Sequence, residues 1–111
     1  MVHNMRLDET YFQKIKAGTK TIEMRLYDEK RQKVQVGDVI EFTSLASGEK
    51  IQVVVLALHI YPSFKELYDN LDMRNFGYKE HEVAHYTHME KYYSPTEIEK
   101  YGVVGIEIKL I

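Results

Sequence analysis

Short segments in which hydrophobic and polar residues alternate predict most of the strands of this chain. Residues 21–27 place apolar side chains on one face and polar or charged side chains on the other, which predicts a strand with one charged face. Residues 39–43 and 102–110 also predict strands, the second with Leu110 among its inward positions. Residues 51–60 are almost continuously apolar, which is typical of a strand buried on both faces. Because short turns join these segments, we expect antiparallel pairing.

Helices are predicted where apolar residues recur at helical spacing or where capping residues occur. Residues 8–17 form such a segment, with acidic residues at its start, lysines at its end and Gly18 as the stop signal. A capping box opens each of two further helices, one from 63 to about 71 and one that begins at 94–97. Another helix is predicted over 79–92. The whole pattern indicates an α+β protein with about five strands and three to four short helices.

The length and composition of the chain indicate one globular domain. Its 111 residues suffice for a single core, and 44% hydrophobic with 29% charged residues is close to the globular average, so we expect one domain over 1–111. No cysteine is present, which excludes a disulfide scaffold, a thiol nucleophile and a thiolate metal site. The longest apolar run, 53–58, is far shorter than the roughly 20 residues of a membrane span. The N-terminus has no signal-peptide pattern, so we expect a cytoplasmic protein without a membrane partner.

Three charged residues at the predicted helix-to-strand junction are the first candidates for chemistry. Glu23 and Arg25 are two positions apart on a strand and therefore lie on one face, while Lys20 precedes them. In one interpretation they only pair with one another at a solvated sheet edge, as in an interaction module without a ligand. In the other they line a cleft, where the two cations hold a phosphate, carboxylate or carbonyl oxygen and Glu23 accepts a hydrogen bond or acts as a base.

The same residues resemble a known family. Gly18, Lys20, Glu23 and Arg25 spell the motif G-x-K-x-x-E-x-R, which resembles that of the ASCH (activating signal cointegrator homology) domain family. The resemblance implies a PUA-like fold, which is a mixed or antiparallel β-barrel with helices packed around it, and a cleft that contains the motif. Family members are considered binders of RNA or nucleotides, so it also implies an ASCH-like domain that binds RNA or a nucleotide-like small ligand. Further segments that carry the likeness are 12–18, 36–42 and 101–106.

An alternative function comes from one branch of this family, which hydrolyses the modified nucleoside N4-acetylcytidine through a lysine, a threonine and a glutamate. Lys20 matches the lysine, whereas Glu23 stands where the branch has threonine, and no counterpart of the downstream glutamate is found around Phe76 or Gly77. In this alternative the chain is a small amidohydrolase with Lys20 and Glu23 as its acid and base. A carboxylate in place of the hydroxyl removes that nucleophile, so the sequence favours binding.

Three histidines form the second candidate. The segment 81–85 matches the H-E-x-x-H pattern of zinc proteases, and His88 follows three residues later. On the predicted helix, His81, His85 and His88 form a stripe away from the apolar face, and the first two have the spacing that holds a divalent ion. A metalloprotease also needs a third ligand and a substrate cleft in a larger scaffold. We therefore expect a solvated or adventitiously metal-binding stripe, and no metal or cofactor.

Aromatic residues are the third candidate. The chain has nine tyrosines, most of them in its second half, where we expect buried rings with hydroxyls that reach water. Nucleobases stack on such rings, so tyrosines from 78–101 beside a Lys/Arg cleft suit a single unstacked base. The net charge of −2 argues against non-specific coating of duplex DNA. The predicted ligand-binding set is therefore Lys20, Glu23, Arg25 and Tyr93, with RNA or a nucleotide-like molecule as the partner.

Overall fold

One five-stranded sheet forms the frame of the molecule, and the α+β class is confirmed. The computed structural model describes residues 1–78, 82 and 84–111. Its strands are β1 (Val2–Leu7), β2 (Ile22–Leu26), β3 (Val39–Ser44), β4 (Lys50–Tyr61) and β5 (Val103–Leu110). Its helices are α1 (Glu9–Lys16), α2 (Glu29–Gln32), α3 (Phe64–Asn70) and α4 (Pro95–Tyr101), with single 3-10 turns at Met73–Asn75 and Tyr86–Met89. Within the described part of the chain, no helix has the length and apolar character needed to cross a membrane.

The sheet is mixed and curves into a half-barrel with the strand order β1-β3-β4-β5-β2. The four strands that the sequence predicts pair antiparallel, as expected. β1 is a strand that the sequence pattern does not predict, and it pairs parallel with β3. Its inward positions include His3, whose Nε2 lies 2.8 Å from Asp38 Oδ2, while the apolar Val2 is exposed. The apolar and polar positions of β1 are therefore partly reversed, which hides the alternation.

Two expectations about burial in the sheet are wrong. β4 is not buried on both faces: Val53 and Val55 are buried, but Leu56 and Ile60 are 45% and 52% exposed. These two side chains leave the interior of the half-barrel, so continuous apolar sequence does not mean burial here. Leu110 is 40% exposed because it lies at the final position of β5, two residues past the last buried side chain of that strand.

The predicted helix over 79–92 is wrong wherever the structure describes it. Residues 79–81 and 83 lie outside the described residues. His85 has extended backbone and caps the 3-10 turn Tyr86–Met89, so regular helix is limited to that single turn between residues 84 and 92. The other predicted helices form at α1, α3 and α4, each within a residue or two of its expected bounds.

Two hydrophobic clusters position the elements around β2. The first fills the half-barrel beneath α1 and includes Phe12, Ile15 and Phe42. The second lies between β2 and α3, where Ile22 and Met24 pack with Phe64, Leu67 and Phe76. Because helix α3 and the turn at 73–76 cover one face of β2, its polar face points away from the second cluster. That polar face carries Glu23 and Arg25.

Candidate functional site

The turn that follows α1 places Lys20 in the interior of the protein. The helix stops at Gly18, whose positive φ of 81° lets the chain reverse, and the amides of Thr19 and Lys20 both donate to the carbonyl of Lys14. Lys20 then forms an isolated antiparallel bridge with Phe76. This double anchorage fixes the Lys20 main chain between α1 and the turn at 73–76.

Lys20, Glu23 and Arg25 form a buried ion-pair network. Lys20 Nζ lies 3.6 Å from Glu23 Oε1, and Arg25 Nη2 lies 3.3 Å from Glu23 Oε2. Lys20 is 3% exposed and Glu23 is 5% exposed. The charges do pair, as one interpretation of the sequence expected, but they do so away from solvent rather than at a solvated edge.

Two main-chain carbonyls and one carboxylate engage the Lys20 ammonium. Its Nζ donates to the carbonyls of Ile22 at 2.9 Å and Phe76 at 3.3 Å, and Glu23 lies on its third side. Glu23 Oε1 also accepts the Met24 amide at 3.0 Å. Lys20 therefore joins β2 to the turn at 73–76 as well as neutralising the carboxylate.

Burial and pairing shift the pKa values of these groups in defined directions. Burial lowers the pKa of Lys20, and Glu23 only partly opposes this. For Glu23, burial favours the neutral acid, but Lys20 and Arg25 outweigh it and hold the pKa of the carboxyl below its usual value. Burial also disfavours the charge of Arg25, yet Glu23 and Tyr93 together raise its pKa. The network accordingly keeps Glu23 ionised.

All four predicted ligand-binding residues line one cavity of about 470 Å³. Tyr93 lies near enough to Arg25 to help raise its pKa, and the Tyr93 ring stacks on Phe64 with centroids 5.9 Å apart. Residues from β1, α1, β2 and α3 form the walls together with residues 76–78, 82, 88, 89 and 91–93. Sequence reasoning predicts Glu23 and Arg25 from their spacing along one strand and Lys20 from its place just before it, but it does not predict the other charged residues of the cavity.

Several aromatic residues of the cavity are not predicted by the sequence. Tyr11 of α1 lies under Lys20, whose Nζ is 5.6 Å from the ring centroid. Burial and a hydrogen bond with Tyr92 raise the pKa of Tyr11 to about 12. The helical pattern of α1 assigns Tyr11 to the core, and nothing in that pattern shows that its ring borders a cavity.

A hydrogen-bonded chain of three side chains forms another part of the wall. The Tyr68 and Tyr78 hydroxyls are 3.0 Å apart, and the Tyr78 hydroxyl lies 2.8 Å from His88 Nδ1. Tyr68 packs against Phe76 with ring centroids 5.0 Å apart. These groups present both ring faces and polar edges to the cavity, and they come from three segments that sequence patterns do not connect.

The histidine stripe is not formed as the sequence predicts. His85 lies before the 3-10 turn, where its Nδ1 accepts the Thr87 amide, and His88 contacts Tyr78. His81 lies outside the described residues. Among the residues that the structure describes, no three His, Asp or Glu side chains are grouped closely enough to hold a metal ion. His59 is half-buried on β4, and its Nε2 lies 3.0 Å from Glu107 Oε1.

The half-barrel and the charged, aromatic cavity at its edge define a small α+β domain of the PUA-like type. The chain belongs to the ASCH domain family, whose model matches residues 5–111. It is similar to the crystal structure of hypothetical protein PH0355, with 37% identity, a TM-score of 0.84 and complete coverage of both chains. It is also similar to the solution structure of protein PF0455 from Pyrococcus furiosus, with 36% identity and a TM-score of 0.76 over all of this chain and 98% of the other. No curated protein matches the chain significantly.

Proposed function

We propose that residues 1–111 act as a single cytoplasmic ASCH domain that binds RNA, or a nucleotide-like small ligand, in the cavity. The observation that carries this proposal is the convergence of Lys20, Glu23 and Arg25 with several tyrosines on one cavity wall. A nucleotide needs both kinds of group, because its base stacks on rings and its polar edges need hydrogen-bonding partners.

The size of the cavity supports a ligand no larger than one or two nucleotides. About 470 Å³ lies within the range of roughly 300–1,000 Å³ that is usual for small-molecule sites. A duplex does not enter such a cavity, whereas a base splayed out of a single strand does. We therefore expect single-stranded RNA to be preferred over duplex.

A titration with labelled RNA tests this function. Single-stranded and duplex RNA of equal length are each titrated at low and moderate salt, together with duplex DNA. We expect weak, salt-sensitive binding of the single strand only, because a chain with a net charge of −2 neutralises phosphates through a local group of cations. Salt-independent binding, or a preference for duplex DNA, contradicts the proposal.

The contacts of the ion-pair network favour binding over the alternative amidohydrolase function. The Lys20 ammonium already faces the carbonyls of Ile22 and Phe76 in addition to Glu23, so it has no spare direction toward a substrate. A carboxylate held ionised by two cations is also a weak base. These observations support a network that shapes the cavity and sets its charge rather than one that performs chemistry.

A further inference from the structure

We infer that the ligand of this cavity carries a phosphate group, and that Lys14 and Lys91 receive it. This inference rests on the proposed function and narrows it to a phosphorylated nucleoside, either free or as the 5′-terminal nucleotide of an RNA strand. Its basis is the charge of the cavity and the placement of these two lysines.

The cavity has a cationic surplus although the chain as a whole is acidic. Among the described residues that line it, five are cationic and three are carboxylates. The whole chain, by contrast, has a net charge of −2. The five cationic residues are Arg6, Lys14, Lys20, Arg25 and Lys91. A surplus concentrated in a concave site favours an anion there, because the field of neighbouring charges adds up where solvent is partly excluded.

The buried network does not account for the whole of this surplus. Glu23 lies between Lys20 and Arg25, so these three side chains together carry a single positive charge that is held by pairing. The other described charges of the lining, Arg6, Lys14 and Lys91 against Asp8 and Glu82, add a second positive charge. Lys14 and Lys91 have no ion pair with any carboxylate in the described part of the chain.

Both lysines line the cavity together with Tyr11. Lys14 follows Tyr11 by three positions on α1, so the two side chains share one face of the helix. Its Cδ lies 3.0 Å from the position that a Cβ on Gly77 would take, so the Lys14 stem packs against Gly77, which also lines the cavity. Lys91 acts on the Tyr11 hydroxyl electrostatically, and its Nζ lies 5.4 Å from the Tyr92 ring centroid.

The base of a nucleotide also needs a surface on which to stack, and aromatic residues of the same cavity provide one. Tyr68 and Tyr78 provide ring faces and hydroxyls beside Phe76. A phosphorylated nucleoside can contact both the cations and the aromatic rings of this cavity. Inorganic phosphate can contact only the cations, and an unphosphorylated nucleoside only the rings. We expect affinity to require both parts of the ligand.

Isothermal titration with defined probes tests the inference. The probes are uridine, uridine 5′-monophosphate, inorganic phosphate, and a five-nucleotide RNA with and without a 5′-phosphate, with the other three nucleoside monophosphates as a further set. We expect the monophosphate to bind at least about tenfold more tightly than uridine, because its phosphate carries between one and two negative charges near pH 7. The two RNA probes show whether the phosphate comes from a free nucleotide or from a strand end.

Single substitutions assign the phosphate to the two lysines. Lys14→Gln and Lys91→Gln should each weaken monophosphate binding by about three- to tenfold and leave uridine binding unchanged, with the larger effect at low salt. Lys109→Gln is the matched control, since Lys109 is an exposed lysine on β5 that does not line the cavity. Circular dichroism of each variant shows that it remains folded.

The possible results separate this inference from the proposed function. Equal affinity for nucleoside and monophosphate, or lysine variants that bind the monophosphate like wild type, overturns the inference and leaves nucleotide binding intact. Binding of inorganic phosphate as tight as that of the monophosphates also overturns it, since the rings then contribute nothing. Failure of all nucleosides, nucleotides and RNA probes to bind refutes both.

Discussion

The guanidinium of Arg25 joins the two open edges of the sheet, because its Nη2 donates a hydrogen bond to the main-chain carbonyl of Arg6 at 2.8 Å. Arg6 lies on β1 and Arg25 on β2, which are the edge strands and do not pair with each other. The same nitrogen lies 3.3 Å from Glu23 Oε2. One side chain thus closes the half-barrel and helps to build the cavity, so the stability of the fold and the shape of the site depend on a common contact.

Replacing this guanidinium should therefore reduce both stability and ligand binding. We expect Arg25→Gln to lower the free energy of unfolding by about 1–3 kcal/mol, because the Arg6 carbonyl loses its hydrogen-bond donor and Glu23 loses one of its two cations. Urea denaturation followed by circular dichroism measures this change. Lys65→Gln is the control, because it removes an exposed ion pair with Asp69 on α3 and should have a much smaller effect. Equal effects of the two substitutions contradict a bridging role for Arg25.

Gly77 is expected to be required for two separate reasons. Its φ of 90° disfavours any side chain, and a Cβ at this position would lie 3.0 Å from Lys14 Cδ and 3.2 Å from Lys20 Cβ. Gly37 has a similar φ of 92° but open space around it. Gly37→Ala should therefore lower the free energy of unfolding by about 1 kcal/mol from backbone strain alone, and Gly77→Ala by clearly more. Paired urea titrations compare the two, and equal losses would show that the contact with the lysines is unimportant.

The parts of the fold that are predictable from sequence are those with local signals. Gly18 stops α1 and the capping box at Ser94 opens α4, because both act within one helical turn. β1 is not predicted, since its inward His3 is paired with Asp38, a residue 35 positions away in the sequence. Burial along β4 is also set by which elements happen to cover the sheet, and the apolar sequence of the strand does not contain that information.

Some residues of the candidate site are likewise predictable from local sequence signals, and others are not. Lys20, Glu23 and Arg25 can be grouped from sequence because strand spacing alone puts the last two on one face. Tyr11 and Tyr68 cannot be grouped with them, because their place in the cavity depends on how α1, α3 and residues 76–78 pack together. Periodicity shows which face of an element is apolar, but it does not show which elements meet around a cavity.

The pH dependence of stability should contain a contribution from Glu23. Folding holds the pKa of this carboxyl below its reference value of 4.5, so its stabilising effect is complete above about pH 4.5 and is lost as the pH falls through the lower folded value. Glu23→Gln removes the effect and leaves the buried Lys20 without its carboxylate, which should cost about 3 kcal/mol at neutral pH.

Urea titrations of wild type and Glu23→Gln between pH 2.5 and 7 check this expectation. The difference between their free energies of unfolding should be constant above about pH 4.5 and should shrink steadily below it. A difference that stays the same throughout the acid range would falsify the assignment of an ionised, stabilising Glu23.

Hydrolysis of N4-acetylcytidine is expected to be absent or very slow. Attack on the amide carbonyl needs a nucleophile or an activated water, and Glu23 is held ionised by Lys20 and Arg25 while the Lys20 ammonium is engaged by main-chain carbonyls. Glu23→Thr places a hydroxyl beside Lys20, yet we expect it to remain inactive, because residues 76–78 supply no carboxylate to serve as the acidic partner. Chromatography of the nucleoside after incubation with wild type, Glu23→Thr, Lys20→Ala and Glu23→Ala measures the release of cytidine. Robust turnover by wild type that disappears in Lys20→Ala and in Glu23→Ala would favour the amidohydrolase function over the binding function. Turnover that survives both substitutions would have to arise elsewhere on the protein.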